Sequence, residues 1–470
     1  MDIGTSSKYK KVNEDTLFYK AAWRWHFYAG IFVTPFMLIL AVTGMIMMYI
    51  GYFDGRDGER VTVPVPPNAI ILTLQEQSNI ALASHPKGKL VEWIKASEPN
   101  RVNVFRIKDS DGSQSMVAVN PYNGEIVNEW LRRQGWYDLA DDIHSDLLLG
   151  PIGDRMLEIA AGFAIILIIT GVYLWWPKDR KIRDSLIPKL SLKGRLFWKE
   201  VHVSLGVYVS IFFFLFLLSG MSWTGIWGGK IFQAWSTFPA QKWDKIPLSS
   251  ETHASLNYGP SAGMPWAIEE TPLPASGSKL GVDGTLPNEA VNIDSIERLA
   301  QRIGFEGRYR VSFPKGKTGV WTINQDTMNS DAPNPFADKT VHLDRYTGHV
   351  LAKVTFDDYS LAGKTMAVSI PIHMGLVTIW NLIINTIICL SVIILSITGV
   401  IMWWKRRPKD SGFKLVPPPI PSKLPHWHNA MILMLALSLF FPLVGITLVC
   451  VLLLDMFVLS RIPILKKIFK

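Results

Sequence analysis

Apolar residues run in five long stretches separated by polar chain: 26–50, 157–176, 201–223, 376–404 and 430–459. Each can cross a hydrocarbon core of about 30 Å, which takes about 20 helical residues. The first is no cleavable signal, because it lacks a small-residue cleavage site and runs into Tyr49-Ile50-Gly51-Tyr52-Phe53. Two polar segments, 51–143 and 228–372, change period. In the first, 72–83 has helical spacing, and 102–107 and 116–119 alternate as strands do. Asn123-Gly124 then makes a favoured hairpin turn returning into 125–130. The second predicts a helix over 293–303, strands over 308–313 and 319–323, and a turn at Tyr346-Thr347-Gly348. Residues 228–292, rich in Pro, Gly and Ser, predict an insertion with little helix or strand.

The stretches repeat. His26 is followed by Gly30 and then Gly44-Met45, and His202 at the same spacings by Gly206 and Gly220-Met221. Ile169-Thr170-Gly171-Val172 with Trp175-Trp176 answers Ile397-Thr398-Gly399-Val400 with Trp403-Trp404. Upstream of these lie His144 with Leu147 and His373 with Leu376, offset by one residue relative to the Trp pairs. In the polar segments, Val119-Asn120-Pro121-Tyr122-Asn123-Gly124 matches Leu343-Asp344-Arg345-Tyr346-Thr347-Gly348. Three matches in one order predict a tandem duplication. The expected fold is an integral membrane all-α helix bundle, two tandem repeats of paired transmembrane helices plus a C-terminal hydrophobic segment, carrying two α+β lobes.

Charge sets the sides. Composition is 49% hydrophobic and the formal net charge is +9, but the basic residues gather beside helix ends, which argues against nucleic acid. Lys8, Lys10, Lys11, Lys20 and Arg24 precede the first stretch. Lys178, Arg180, Lys181, Arg183, Lys189, Lys193, Arg195 and Lys199 fill the loop after the second. Lys405, Arg406, Arg407, Lys409, Lys414 and Lys423 follow the fourth. Short loops rich in Lys and Arg stay cytoplasmic. The expected order is a cytoplasmic N-terminus (1–25), a span (26–50), a periplasmic lobe (51–143), a span (144–176) and a basic loop (177–199). A second set follows: a span (200–227), a larger periplasmic lobe (228–372), a span (373–404), a basic loop (405–428) and a C-terminal segment (429–460). That last segment is either one crossing or a hairpin broken at Pro442, because a single crossing sends Arg461, Lys466, Lys467 and Lys470 outside.

Candidate chemistry rests on histidine. The two cysteines, Cys389 and Cys450, lie in apolar stretches and build no disulfide, thiolate metal site or Cys-x-x-Cys-His haem attachment. Four of ten histidines occupy matched repeat positions at helix ends: His26 with His202 on the cytoplasmic side, His144 with His373 on the outer side. A duplicated bundle sets equivalent helices face to face, and two neutral imidazoles so opposed can ligate one haem iron axially. Gly30 and Gly206, one turn beyond, would leave bare backbone for a flat macrocycle. For any one of these histidines the plainer reading is an interfacial residue. Zinc would ask for carboxylate or thiolate ligands at each site, and Glu200 and Asp146 lack repeat equivalents. His426 and His428, before the last segment, read as interfacial anchors, although either could replace His26 or His202. His85, His253, His342 and His349 read as solvated surface of the lobes.

The lobe turns Tyr122-Asn123-Gly124-Glu125 and Asp344-Arg345-Tyr346-Thr347-Gly348 resemble PepSY domains. The spans that carry His26, His144, His202 and His373, with Thr-Gly-Val before a Trp pair, resemble the PepSY-associated transmembrane family. That family includes the iron-regulated PiuB-like membrane proteins and FoxB-type ferric-siderophore reductases. The resemblance implies an enzyme of the bacterial inner membrane with two haem b groups ligated by His26, His144, His202 and His373, reducing a ferric siderophore on the periplasmic side. His349 stands where the first lobe has Glu125 after its glycine. No Gly-x-Gly-x-x-Gly fingerprint follows a strand, so the expected donor is a cytoplasmic flavoprotein reductase or membrane quinol, with membrane lipid as surroundings. Two other functions remain open at this point: a haem relay to another periplasmic acceptor, and a non-catalytic PepSY sensor or inhibitor.

Overall fold

The computed structural model describes residues 14–465 except 58–59, 178–180, 258–262, 333, 413, 420–427, 460 and 464. Lys8, Lys10, Lys11, Lys178, Arg180, Lys423, His426, Lys466, Lys467 and Lys470 lie outside the described residues. In chain order, α1 (Glu14–Phe53) and α2 (Leu74–Ala83) lead into β1 (Lys89–Ile94), β2 (Asn103–Lys108), β3 (Gln114–Val119) and β4 (Ile126–Leu131). Next come α3 (Trp136–Asp146), α4 (Pro151–Trp175), α5 (Ile182–Leu186) and α6 (Gly194–Met221), then a π-helix, Gly225–Gln233. The insertion holds α7 (Ala234–Ser236), β5 (Leu248–Thr252) and β6 (Pro272–Pro274), and is followed by α8 (Ile293–Arg302). The remaining strands are β7 (Arg310–Ser312), β8 (Trp321–Gln325), β9 (Lys339–Leu343) and β10 (Val350–Thr355). Then follow α9 (Leu361–Met374), α10 (Ile379–Arg406), α11 (His428–Phe440), α12 (Pro442–Leu454) and a second π-helix, Asp455–Leu459.

These elements form two compact units: one of Met1–Ala41, Leu149–Trp227 and Ile388–Lys470, the other of Val42–Leu148 and Gly228–Ile387. Among the described residues, four helices are long and apolar enough to cross a membrane: Leu17–Phe53, Pro151–Trp175, Gly194–Met221 and Ile379–Arg406. In the first unit, α4 carries Ala160, Ala161, Gly162 and Ala164, all buried, and such small residues let helices approach closely. α6 and α12 both pack on α4. Glu158, buried on α4, accepts the backbone N–H groups of Ile226 and Trp227 at 3.2 Å, satisfying two of the unpaired donors where the π-helix starts.

The C-terminal apolar segment is two short helices. Pro442 starts α12, and a Cβ built on Gly445 would lie 2.8 Å from Cβ of Ser438 on α11. Such closeness across the break means that the chain turns back. The arrangement is a hairpin, with Trp227 against Phe440 and Phe441 at 5.7 Å.

In the second unit the two sets of strands meet in one antiparallel sheet of order β10-β9-β8-β7-β1-β2-β3-β4. Its seam pairs Trp93 with Val311 and Ile94 with Arg310. α2 starts at a capping box, Thr73 with Glu76, and α8 at Asn292 with Ser295. Trp93, Phe105, Val117, Ile296, Leu299, Val311, Ile323 and Val341 share one core. The Asp294 carboxylate accepts the Leu74 N–H at 2.7 Å, which favours both helix starts. The two turns bond alike: Gly124 N–H to Asn120 O at 3.0 Å and Gly348 N–H to Asp344 O at 2.9 Å. Both glycines take positive φ, 74° and 69°, where a side chain would be strained. The insertion has few regular elements but a core of its own, Phe238, Trp243, Met264 and Ile268 against Val354 and Tyr359.

Candidate functional site

His26 lies on α1 and His202 on α6, and their rings face each other with centroids 6.4 Å apart and planes at 87°. His26 Nδ1 is 2.9 Å from Thr170 Oγ1 on α4, and His202 Nδ1 is 2.9 Å from Thr398 Oγ1 on α10. Each threonine hydroxyl donates to the carbonyl one turn back, Ile166 O and Ile394 O, both at 2.7 Å. With its proton so engaged, the threonine oxygen accepts, and the hydrogen sits on histidine Nδ1. The Leu395 carbonyl, 3.1 Å from His202 Nδ1, also accepts only. In both rings, therefore, Nε2 is the nitrogen with a free lone pair, the form that takes a metal. Two imidazole–metal bonds of about 2 Å each, plus the half-width of each ring, fill a separation of this size.

The glycines beside the threonines lie against the rings. A Cβ on Gly171 would lie 3.2 Å from Cε1 of His26, and one on Gly399 3.6 Å from Cε1 of His202. Gly30 and Gly206, expected as the cradle, face Leu167 and Leu395 at ordinary contact. The repeated Thr-Gly therefore has a job that the sequence pattern alone does not state: Thr orients the ring, and at Gly171 the absent side chain also clears it.

In the second unit His144 and His373 sit on α3 and α9, the short helices before the spans, rather than on the spans themselves. α3 ends through Leu147 and Leu148 at positive φ (56° and 60°) and α9 through Gly375 at 74°. The links 147–150 and 375–378 are equal in length, and the one-residue offset against the Trp pairs arises because α3 runs two residues past His144 and α9 only one past His373. His144 Nδ1 is 2.9 Å from Thr43 Oγ1 on α1, and a Cβ on the adjacent Gly44 would lie 3.3 Å from the ring. Thr43-Gly44 is thus a third Thr-Gly against a histidine. Asn385 on α10 donates to the carbonyls of Ile372 and His373 at 2.6 and 3.0 Å, and Asn381 to Ile372 O at 2.9 Å. Two polar residues in an apolar helix thereby satisfy the carbonyl end of α9.

Sequence reasoning missed Thr43, Asn381 and Asn385. The signal for Thr43 was available, since Thr-Gly occurs at 43–44 as at 170–171 and 398–399. Among the described residues no group of three or more His, Cys, Asp or Glu is placed to hold a bare metal ion. Asp146 and Glu200 serve the backbone, accepting from Leu148 N–H at 2.9 Å and Lys189 N–H at 3.1 Å. His428 begins α11 and is exposed.

Two of the four lobe histidines correct the solvated expectation, whereas His85 and His349 are partly exposed. His253 and His342 are both fully buried, with their Nε2 atoms 2.9 Å apart. Strand alternation turns Val341 and Leu343 toward the core under α8 and His342 to the opposite face, where the insertion brings Trp243 and His253 over it. His253 Nδ1 donates to Thr271 O at 2.7 Å, so its Nε2 accepts from His342, whose Nδ1 meets Thr322 Oγ1 at 3.0 Å. Burial pushes His253 down to about 4. Burial, and then the charge of His253, push His342 well below the usual imidazole range. His85 is held between Asp109 at 3.0 Å and Glu129 at 3.2 Å.

No curated protein matches the chain. The family model for the PepSY-associated TM region matches residues 23–406, from just before His26 to the end of α10. The match takes in all four site histidines and both Thr-Gly-Val motifs, and on that extent the chain belongs to the PepSY-associated transmembrane-region family.

Proposed function

We propose that this protein is a di-haem reductase of the bacterial inner membrane. It passes electrons from the cytoplasmic side to a ferric siderophore on the periplasmic side and releases Fe(II). In this reading the chain is a tandem duplication. His26 and His202 ligate one haem b near the inner surface, and His144 and His373 ligate the other beneath the sheet domain. The observation that carries it is the facing pair His26 and His202, 6.4 Å between ring centres, with both Nδ1 atoms tied to threonine. The like bonding of the two Thr-Gly-Val motifs, and of the Gly124 and Gly348 turns, supports the duplication.

Bound haem iron supplies one-electron transfer between Fe(III) and Fe(II). The chain's own work is positional. Thr170 and Thr398 fix the tautomer and angle of the inner rings, Thr43 holds His144, and Asn381 and Asn385 pin the end of α9 that carries His373. Apolar helices around the inner pair keep out water, which favours neutral imidazole. The electron donor is a cytoplasmic flavoprotein reductase or membrane quinol. Released iron follows from chemistry, because hard-oxygen chelators hold Fe(III) far more tightly than Fe(II).

The test uses purified protein reduced with dithionite, freed of excess reductant and mixed anaerobically with a ferric siderophore and a ferrous chelator. Reoxidation with matching Fe(II) capture is expected, and it should vanish in His373→Ala. A wild-type protein that keeps its electrons before every ferric siderophore tried contradicts the reductase reading and favours the relay.

A further inference from the structure

Two arginines lie on the basic side of the His26–His202 pair in the first unit. Arg195, on α6, stands seven residues before His202, two turns along the same face and about 10 Å down the axis. Its Nε is buried with no hydrogen-bond partner among the described residues. Arg406 lies on α10, eight residues beyond Thr398, the residue that holds His202. Its guanidinium sits over Trp23 at 5.3 Å and over Phe27 at 5.1 Å, three residues before His26 and one after it on α1. It also donates to Val416 O at 2.6 Å.

The two guanidiniums lie near enough for their charges to act on each other. Among the described residues neither has a carboxylate partner. Partly buried like charges are costly without an anion between them, and a guanidinium has five N–H donors, more than these contacts use. We propose that Arg195 and Arg406 clamp the propionate carboxylates of the haem held by His26 and His202, fixing its rotation and depth in the first unit. This rests on the reading of that pair as haem ligands. The same chemistry suits a headgroup phosphate, so the test separates the two anions.

The experiment uses the full chain carrying His373→Ala, in nanodiscs of neutral lipid, with loss of haem to excess apomyoglobin followed by absorbance. Arg195→Gln with Arg406→Gln should speed that loss roughly tenfold or more, the scale of charge-assisted bonds. Lys at both positions should restore part of the retention. Protein emptied and reloaded with haem dimethyl ester should lose it as fast as the Gln variant loses haem, and with the ester the substitutions should add nothing. Faster loss of haem and ester alike would mean a merely structural role and overturn the proposal. An arginine effect that appears only with anionic lipid would assign the clamp to headgroup phosphate and overturn it too. A wild-type chain that takes up no haem overturns the parent reading as well, whereas retention indifferent to esterification overturns this inference alone.

Discussion

Thr170 Oγ1 on α4 lies 2.9 Å from Nδ1 of His26 on α1, and Thr398 stands to His202 at the same distance. Partners behind a metal-ligating imidazole typically change metal affinity 10–100-fold when removed. Thr170→Val keeps the shape and loses the acceptor, so haem at the inner pair should be held about tenfold more weakly or worse. Thr170→Ser should remain close to wild type. Haem loss rates measured on both variants check this.

Gly171 and Gly399 should differ. At Gly171 an added Cβ would sit 3.2 Å from the His26 ring, which must then give way, whereas at Gly399 the distance is an ordinary 3.6 Å. Gly171→Ala should therefore broaden or shift the low-spin electron paramagnetic resonance signal of the inner site, and Gly399→Ala should leave it nearly unchanged.

Asp57, just past the end of α1, is buried under a group of arginines. Arg310 is 2.7 Å away, Arg308 3.3 Å and Arg132 3.6 Å. Burial alone would raise its carboxyl, but Arg310, Arg56, Arg132 and Arg308 hold it well below the usual carboxylate range. Asp57→Asn removes a carboxylate that these arginines share, while Asp331, Glu92 and Asp138 remain beside them, so the loss should stay below the roughly 3–5 kcal/mol of a fully broken buried pair. Protease susceptibility of the sheet domain should rise accordingly.

Two buried groups give the sheet domain opposite pH responses. His253 and His342 are neutral in the fold and titrate near 6.5 when unfolded. Below that the unfolded chain binds more protons, so their effect is loss of stability as pH falls below about 6.5, continuing for His253 to about 4. Asp338 is pushed up to about 8 by burial and then by Asp326. It stays protonated where the unfolded carboxyl has ionised, and so its effect is loss of stability as pH rises from about 4 to 8. Asp338→Asn should flatten the alkaline side and His342→Gln the acid side, as read from thermal unfolding between pH 4 and 8. Identical profiles for all three proteins would contradict these assignments.

Four of the spans and the turns of the polar segments were legible because each rests on local pattern: long apolar runs, or a motif at fixed spacing. What escaped depends on long-range contact. β1 has the short sequence Lys-Leu-Val-Glu-Trp-Ile, too brief to declare its period, and its pairing with β7 joins two lobes that read as separate. His253 and His342 are distant in sequence, and only the insertion folding over β9 buries them. The breaks at Leu147 and Gly375 were hidden because each short helix runs on into the apolar stretch of the next. Thr-Gly was visible as a repeat, but its role needed the opposing helix.

The central claim is that His26, His202, His144 and His373 hold haem. The visible spectrum of the purified wild-type protein, oxidised and dithionite-reduced, with pyridine haemochrome measured per polypeptide, tests it most directly. The account predicts low-spin b-type bands and about two haems per chain, released by acid acetone because no thioether bond is possible. His26→Ala with His202→Ala should remove one of the two and spare the other. A colourless protein from haem-replete cells, or bands that survive loss of all four histidines, would contradict it.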